Sequence, residues 1–581
     1  MKEAGIIIGR LVEISGERAV ADLTADTTVP LSENYYPGQP GSYIKVPFRD
    51  YSIIGIVSDV RMPAGEAGRK TAGCVLIGTL QPGGRFVRGV AIYPNVGQPV
   101  EMVTSSELRT IFAEFVHFDF SFGSLSQAPD QRAYIDVNRF FGQHCAVVGS
   151  TGCGKSYTVA SMLQSVIRKY PHTHIVVLDL HGEYARAFPD SVNAIHADDV
   201  ELPYWILSFD EFQDLAVDRM EASAKNQITV LRDCIVRARQ STDVAERMGL
   251  GSSVMVDSPV YFDIDELLGQ LRNWNIQMVP DPEGRVVPGP LYGVFDRFLI
   301  RFDSRMSDPR YDFMFKCRAY KGADSLPRLL RDFLSVDTGK RMTVVDLSGV
   351  PNEAVGVVVA VVSRIVFEFN LWNPDRRRFP ILMVYEEAHS YIPNRDDDRY
   401  RACRAAVERI MKEGRKYGVG AVVVSQRPKE LSETVIAQCN NFLAMRLTNP
   451  DDQDYVRRLV PDTATGLIAM LPALRTGEAV ILGNSVALPT RVMVDMPDPQ
   501  PSSADIDYDR WWAEGLPDAD VDGIIQRWRA RTRDMQVIED RAAHRGRPDA
   551  RPGTERPSSV QPPGAKHRGA KMPWENIPRK H

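Results

Sequence analysis

The chain has 581 residues, enough for a large core and for more than one domain. Its formal net charge of −5 is near neutral, so composition argues neither for nor against a nucleic-acid partner, and any basic surface must be local. Seven scattered cysteines (Cys74, Cys145, Cys153, Cys234, Cys317, Cys403, Cys439), with no C-x-x-C pair, suit a reducing cytoplasm and give no metal site.

Met1-Lys-Glu runs straight into a strand-like segment, so no signal peptide is expected. From Gly5 to about Val103, short β-type runs such as Ala19–Leu23, Tyr43–Val46 and Tyr51–Val57 alternate with Gly, Pro and Asn. Strands of this length and spacing predict a small barrel or sandwich, with a structural or subunit-contact role. A connecting region, Thr104 to Gln143, follows, and within it Ala133–Val137 reads as a strand.

Cys145-Ala-Val-Val148 is a short apolar run of the buried parallel type. It leads into Gly149-Ser150-Thr151-Gly152-Cys153-Gly154-Lys155-Ser156, which fits G-x-x-x-x-G-K-[ST]. Tyr157 to Lys169 then carries apolar residues at helical spacing. Strand, glycine loop and helix in that order make a phosphate site. Backbone N–H groups converge on the anion, the helix N-terminus adds partial positive charge, Lys155 reaches the β- and γ-phosphates, and the Ser156 hydroxyl takes a place on Mg²⁺.

His174–Leu178 is a second buried strand, ending at Asp179-Leu-His-Gly-Glu183-Tyr184. Polar groups at strand carboxyl ends form ligand sites in doubly wound folds, and they also cap turns; both readings stand for Asp179 and Glu183. Ser208 to about Lys340 reads as a mostly helical insertion with solvated charged faces. The β pattern resumes at Met342–Leu347. Val355–Phe369 reads as an apolar helix, interrupted by Ser363 and Arg364 and too short to cross a bilayer.

Pro380 to Tyr385 is a buried strand ending in two acids, Glu386 and Glu387. Downstream of a phosphate loop such a pair divides the work: Glu386 faces Mg²⁺ and Glu387 polarises the attacking water. The helix near Cys403–Tyr417 carries Arg415 at its end, where it serves as a transition-state cation, in cis or across a subunit boundary, or interacts with the helix dipole. Val419–Val424 is a strand with Gln426 at its tip, placed to sense the γ-phosphate or the water.

Asp-Leu-His-Gly-Glu-Tyr (179–184), Glu-Glu-Ala-His-Ser-Tyr-Ile-Pro (386–393), Glu-Gly-Arg-Lys-Tyr-Gly-Val-Gly (413–420), Ser-Gln-Arg-Pro (425–428) and Arg446-Leu-Thr-Asn-Pro450 together resemble the HerA group, hexameric DNA-translocating ATPases related to FtsK. The resemblance spans about Met1 to Asp495. It implies an α/β RecA-like P-loop core with an N-terminal β-barrel and a helical insertion, and a homohexamer with ATP between subunits and double-stranded DNA in its channel. It also implies that Arg415 or Arg446 acts on a neighbour's ATP. Glu386 departs from the Asp of many members, which bears on direct metal contact. Segment boundaries on this reading are 1–115 for the barrel, 116–207 and 341–498 for the core, 208–340 for the insertion and 499–581 for the extension. Arg395, Arg399 and Arg401 are the candidate DNA contacts, with Asp396, Asp397 and Asp398 among them.

The expected function is a cytoplasmic, Mg²⁺- and ATP-dependent motor on duplex DNA. The resemblance implies a nuclease or other effector as partner, in DNA-end processing or antiphage defence. The alternative is an ATP-regulated ring that assembles a nuclease or sirtuin-like NADase without travel. After Asp495, Trp511, Trp512 and the segment 524–533 suggest a docked helix, and from Arg541 onward a basic, proline-rich tail is expected to be mobile.

Overall fold

The computed structural model of the chain describes residues 5–24, 38–63, 68–196, 201–217, 221, 223–308, 311–317, 320, 325–350, 352–395, 400–460, 465–503, 506–515 and 519–530. The early β-type runs form β1 (Ile7–Ser15), β2 (Arg18–Leu23), β3 (Tyr43–Phe48), β4 (Tyr51–Arg61), β5 (Lys70–Leu80), β6 (Phe86–Arg88) and β7 (Pro99–Met102). The order β2-β1-β7-β3-β4-β5 returns to β2, so six strands close a barrel and β6 hangs on β5. Closure removes the open edges of those six strands. At the closing seam Ala19 faces Cys74 and Ala21 faces Ala72. These small side chains leave interior room for Ile8, Leu11, Ile44, Val46 and Ile53. Gly9 is required by close approach, since a Cβ there would stand 2.0 Å from the Asp22 carbonyl oxygen.

The second sheet contains β8 (Gly123–Leu125), β9 (Ala128–Arg132), β10 (Cys145–Val148), β11 (His174–Asp179) and β12 (Val192–Ile195). A separate hairpin, β13 (Met278–Pro280) and β14 (Val286–Pro288), lies in the insertion. The second sheet resumes with β15 (Met342–Asp346), β16 (Ile381–Tyr385), β17 (Val419–Ser425), β18 (Asn441–Ala444), β19 (Glu478–Gly483) and β20 (Thr490–Val494). Its order is β12-β15-β11-β16-β17-β10-β18-β19-β20-β8-β9. The pairings from β12 to β18 are parallel, and those from β18 to β9 antiparallel. The fully buried runs of β10, β16 and β17 are what a sheet covered on both faces demands.

Two sequence expectations are corrected. Ala133–Val137 is not a strand: β9 stops at Arg132, and Asp136 caps the helix Val137–Gly142 by accepting from the N–H groups of Asn138 (2.9 Å) and Arg139 (3.0 Å). The cap overrides the alternating pattern. The apolar helix is longer than the sequence suggested, Asn352–Trp372, and its 19-residue stretch Ala354–Trp372 is long and apolar enough to cross a membrane. Most of that stretch is buried inside the protein, and Ser363 accepts a hydrogen bond there from the Tyr385 hydroxyl at 3.1 Å.

The barrel is fastened to the second sheet by specific polar contacts. The buried Tyr43 hydroxyl donates to the Pro489 carbonyl at 2.7 Å, and its ionisation is pushed up to about 12 by burial. Arg88 donates to the carbonyls of Gly483 (2.8 Å), Ala487 (2.9 Å) and Val486. Buried Lys45 pairs with Glu101 (3.4 Å) and Glu107 (2.6 Å), and Glu107 also completes the capping box of Ser105–Val116 with Thr104.

His196–Arg328 supplies most of a second compact unit. Its helices include Ala224–Gln240, Ile264–Asn275 and Asp296–Ser307, and its interior is aromatic, with Phe298 and Phe302 stacked at 5.7 Å. Arg239 is buried there, donating to the carbonyls of Trp205 (3.0 Å), Leu207 (3.3 Å) and Val256. The helices Tyr508–Glu514 and Val521–Ala530 leave Trp511, Trp512 and Trp528 exposed. The expected tail from Arg541 lies outside the described residues.

The Arg88 fork generates a test. Arg88→Ala abandons three backbone carbonyls at the barrel–sheet junction, a loss of roughly 1–3 kcal/mol. Thermal unfolding should begin several degrees lower, and amide exchange should accelerate first in β5 and β6. Unchanged exchange in those strands would show that water replaces the fork.

Candidate nucleotide site

The site is assembled at the carboxyl ends of three adjacent strands. β17 lies between β10, which enters the glycine loop, and β16, which ends at the acid pair. Val148 pairs with Ser425 and Tyr385 with Val423, so β10 and β17 end level and β16 stops two residues earlier, which brings the acid pair alongside the tip of β17. Gly152 (φ 73°) and Gly154 (φ 94°) take left-handed conformations, and Gly154 opens the helix Lys155–Lys169 with no side-chain cap. The first-turn N–H groups of that helix therefore keep their donors for an anion.

The loop is braced from both sides. On the β18 side, Ser150 N–H donates to the Arg446 carbonyl at 2.8 Å, and Thr448 N–H donates to Ser150 Oγ at 3.1 Å. Arg446 Nη2 donates to the Gly152 carbonyl at 3.2 Å, so this arginine contacts the loop of its own chain. On the β17 side, Gly149 N–H donates to the Ser425 carbonyl at 3.3 Å and Thr151 Oγ1 donates to Gln426 Oε1 at 2.5 Å. Cys153 is buried under the loop, 3.9 Å from the Met445 sulfur.

Lys155 is buried, its Nζ 3.5 Å from the Ser150 carbonyl and 3.9 Å from Glu387 Oε1. The two acids sit in different environments. Glu386 is 2 % exposed, and its Oε2 is buried without a hydrogen-bond partner. Burial, then the charges of Glu387, Asp179 and Glu183, push its carboxyl well above the usual range against the opposing pull of Lys155. Glu387 is also buried, which by itself would raise it. The hydrogen bond with His389, at 3.2 Å, and the charge of Lys155 outweigh burial and hold it below the usual value. Its backbone is left-handed (φ 45°, ψ 46°), a conformation costing a non-glycine residue on the order of 1–3 kcal/mol. An acid kept charged beside one that favours its proton is the arrangement in which two carboxyls take different roles.

Asp179 turns out to cap its turn. It accepts from the N–H groups of His181 (3.3 Å), Gly182 (2.9 Å) and Tyr184 (2.9 Å), and burial lifts its ionisation to about 6. Glu183 Oε2 and the Tyr184 hydroxyl are buried without hydrogen-bond partners near Glu386. Among the described residues no group of three His, Cys, Asp or Glu side chains converges to hold a metal by itself. The orphaned Glu386 oxygen, hemmed in by like charges, still fits a divalent cation whose other ligands are phosphate oxygens, the Ser156 hydroxyl and water.

Other expected site residues lie apart. Arg415 is exposed at the end of the helix Arg401–Tyr417, where β17 begins. The seven residues of β17, about 20 Å at strand rise, separate it from the glycine loop of its own chain. Arg395 is exposed with its guanidinium 5.8 Å from the Tyr400 ring centroid, Arg401 starts that same helix, and Arg399 lies outside the described residues. His389 and Ser425 also stand at the site, with His389 Nδ1 3.2 Å from Glu387 Oε2 and 3.3 Å from Ser425 Oγ. The sequence signal for this contact is a histidine two residues after the second acid, on a turn.

Residues 120–366 match the family model described as the central domain of the helicase HerA. A DNA double-strand break repair helicase HerA of Sulfolobus acidocaldarius is 26% identical over 441 residues, covering 75% of this chain and 80% of the relative. A probable one of Methanocaldococcus jannaschii is 24% identical over 502 residues, covering 80% and 92%. Among solved structures, VirB4 of Thermoanaerobacter pseudethanolicus aligns with a TM-score of 0.46 at 15% identity, over 65% of this chain and 96% of that one.

The division of labour between the acids has a direct check. Glu387→Gln should retain nucleotide affinity and lose nearly all turnover, whereas Glu386→Gln should weaken the Mg²⁺ dependence of nucleotide binding. Fluorescent-nucleotide titration with and without Mg²⁺, paired with phosphate release, separates the two. The reverse pattern would exchange the assignments.

Proposed function

Since the chain is a HerA-type ATPase, we propose that it hydrolyses MgATP at sites shared between subunits of a homohexameric ring and uses the cycle to move along double-stranded DNA. The carrying observation is Glu387, buried, charged and held between Lys155 and His389 just past the end of β16, beside the glycine loop. Lys155 exchanges its carboxylate partner for the β- and γ-phosphates, and the released Glu387 Oε1 accepts a proton from the attacking water. Mg²⁺, held by Ser156 and Glu386 together with the phosphates, would neutralise charge on the leaving group. Gln426, tied through Thr151 to the loop, registers whether the γ-phosphate is present.

Arg446 braces its own chain's loop, while Arg415 stands a strand's length away. This favours Arg415 as the cation supplied across the interface. Movement along DNA needs contacts with phosphates rather than bases, and Arg395, Arg399 and Arg401 are assigned that role. The relatives named as double-strand break repair helicases favour DNA-end processing as the setting, and trimming of DNA ends calls for a nuclease as the companion protein.

Mass measurement at micromolar concentration should give a particle of about six subunits, and duplex DNA should stimulate ATP turnover in a salt-sensitive way. ATP-dependent assembly without any DNA stimulation would instead indicate a scaffold. Arg415→Ala should lower turnover on the order of 10³-fold with little change in nucleotide affinity. Mixed with Lys155→Ala, it should regain single-turnover hydrolysis, because some interfaces then pair an intact arginine with an intact loop. No recovery despite verified subunit exchange would remove Arg415 from the site.

A further inference from the structure

His389 sits on the tight turn Ala388–Ser390, directly after the left-handed Glu387. Its Nδ1 is 3.2 Å from Glu387 Oε2 and 3.3 Å from Ser425 Oγ. A carboxylate only accepts hydrogen bonds, so the short contact is attractive only when Nδ1 carries the hydrogen. The tautomer is therefore set by Glu387. The Ser425 hydroxyl oxygen already accepts the Arg427 N–H at 3.0 Å, and Ser425 is fully buried at the end of β17, so the imidazole leans on a fixed point. Gln426 N–H adds a second donor to the same carboxylate oxygen at 3.3 Å. Oε2 is thus held by two donors anchored to β16 and β17, and Oε1 is the oxygen left on the Lys155 side.

We propose that His389 is a positioning residue for ATP hydrolysis, whose Nδ1–H fixes Glu387 Oε2 so that Oε1 is presented to the attacking water. The inference rests on the reading of Glu387 as the water-polarising acid. A histidine present only to fill the core would be enclosed by apolar side chains. His389 instead borders a cavity of about 770 Å³, whose other walls include Ser390, Arg395, Arg427 and Asn449. The two donors on Oε2 decide which oxygen of Glu387 faces Lys155 and the glycine loop.

The test uses the full-length oligomer with MgATP and three substitutions. Asparagine carries an amide N–H near the position of Nδ1, whereas glutamine reaches the position of Nε2. His389→Ala and His389→Gln should lower kcat about 10–100-fold, the usual penalty for removing an orienting partner, with KM for ATP and nucleotide affinity changed less than about twofold. His389→Asn should recover most of the loss. Equal impairment of the Asn, Gln and Ala proteins, or a fall in nucleotide affinity matching the fall in kcat, would overturn the proposal in favour of a structural role. Normal kcat in His389→Ala while Glu387→Gln is inactive would overturn it as well. Normal turnover in Glu387→Gln would strike the underlying reading first, and the two failures are told apart by that one protein.

Discussion

The parallel pairing of β17 with both β10 and β16 is the constraint on which the rest of the site depends. It places the tip of β17 between the phosphate loop and the acid pair, so that Ser425 and Gln426 touch both. A slip of one residue in either pairing would turn Gln426 away from Thr151 and separate Ser425 from His389. The near-continuous burial of all three strands makes such a slip costly, since every residue of β10, β16 and β17 is buried in the observed register. Rigidity of the sheet thereby fixes the placement of the polar groups at the ends of these strands.

Charge at the site is organised by what each acid can reach. Glu386 lies among Glu387, Asp179 and Glu183 with one oxygen unpartnered, so its ionised form calls for an added cation. Glu387 is satisfied within the protein by His389 and Lys155. Lys155 is common to both environments. On the proposed function, its departure toward a phosphate removes the counter-charge from Glu387 and leaves the histidine and the Gln426 N–H as the carboxylate's remaining partners. On the same proposal, binding of the nucleotide and exposure of the base are coupled through this single side chain.

The barrel is tied to this machinery at a distance from the chemistry. Tyr43, Arg88 and Lys45 each insert a donor into backbone carbonyls or carboxylates next to the sheet or its leading helix. Arg88 in particular grips the turn after β19, a strand paired with β18, whose end braces the glycine loop. A displacement of the barrel thus has a short covalent and hydrogen-bonded route to the phosphate site.

Local patterns in the sequence determined the glycine loop, the acid pair, the strand-and-helix alternation around them and the β character of the first hundred residues. Each of these is written in neighbouring residues: glycines where φ must be positive, apolar runs where a strand is buried, amphipathic spacing where a helix is packed. Caps were legible less well, and Asp136 ended a run that alternation alone reads as a strand. What only the tertiary structure decided is the partnership of residues far apart in the chain. That Arg446 braces its own loop and Arg415 stands far from it follows from strand order, to which no short stretch of sequence is sensitive. The same holds for the choice between Asp179 as a turn cap and as a ligand, and for the contact of His389 with Glu387. Hydrogen bonds act over about 3 Å, and which side chains come within that range is settled by the packing of the whole sheet.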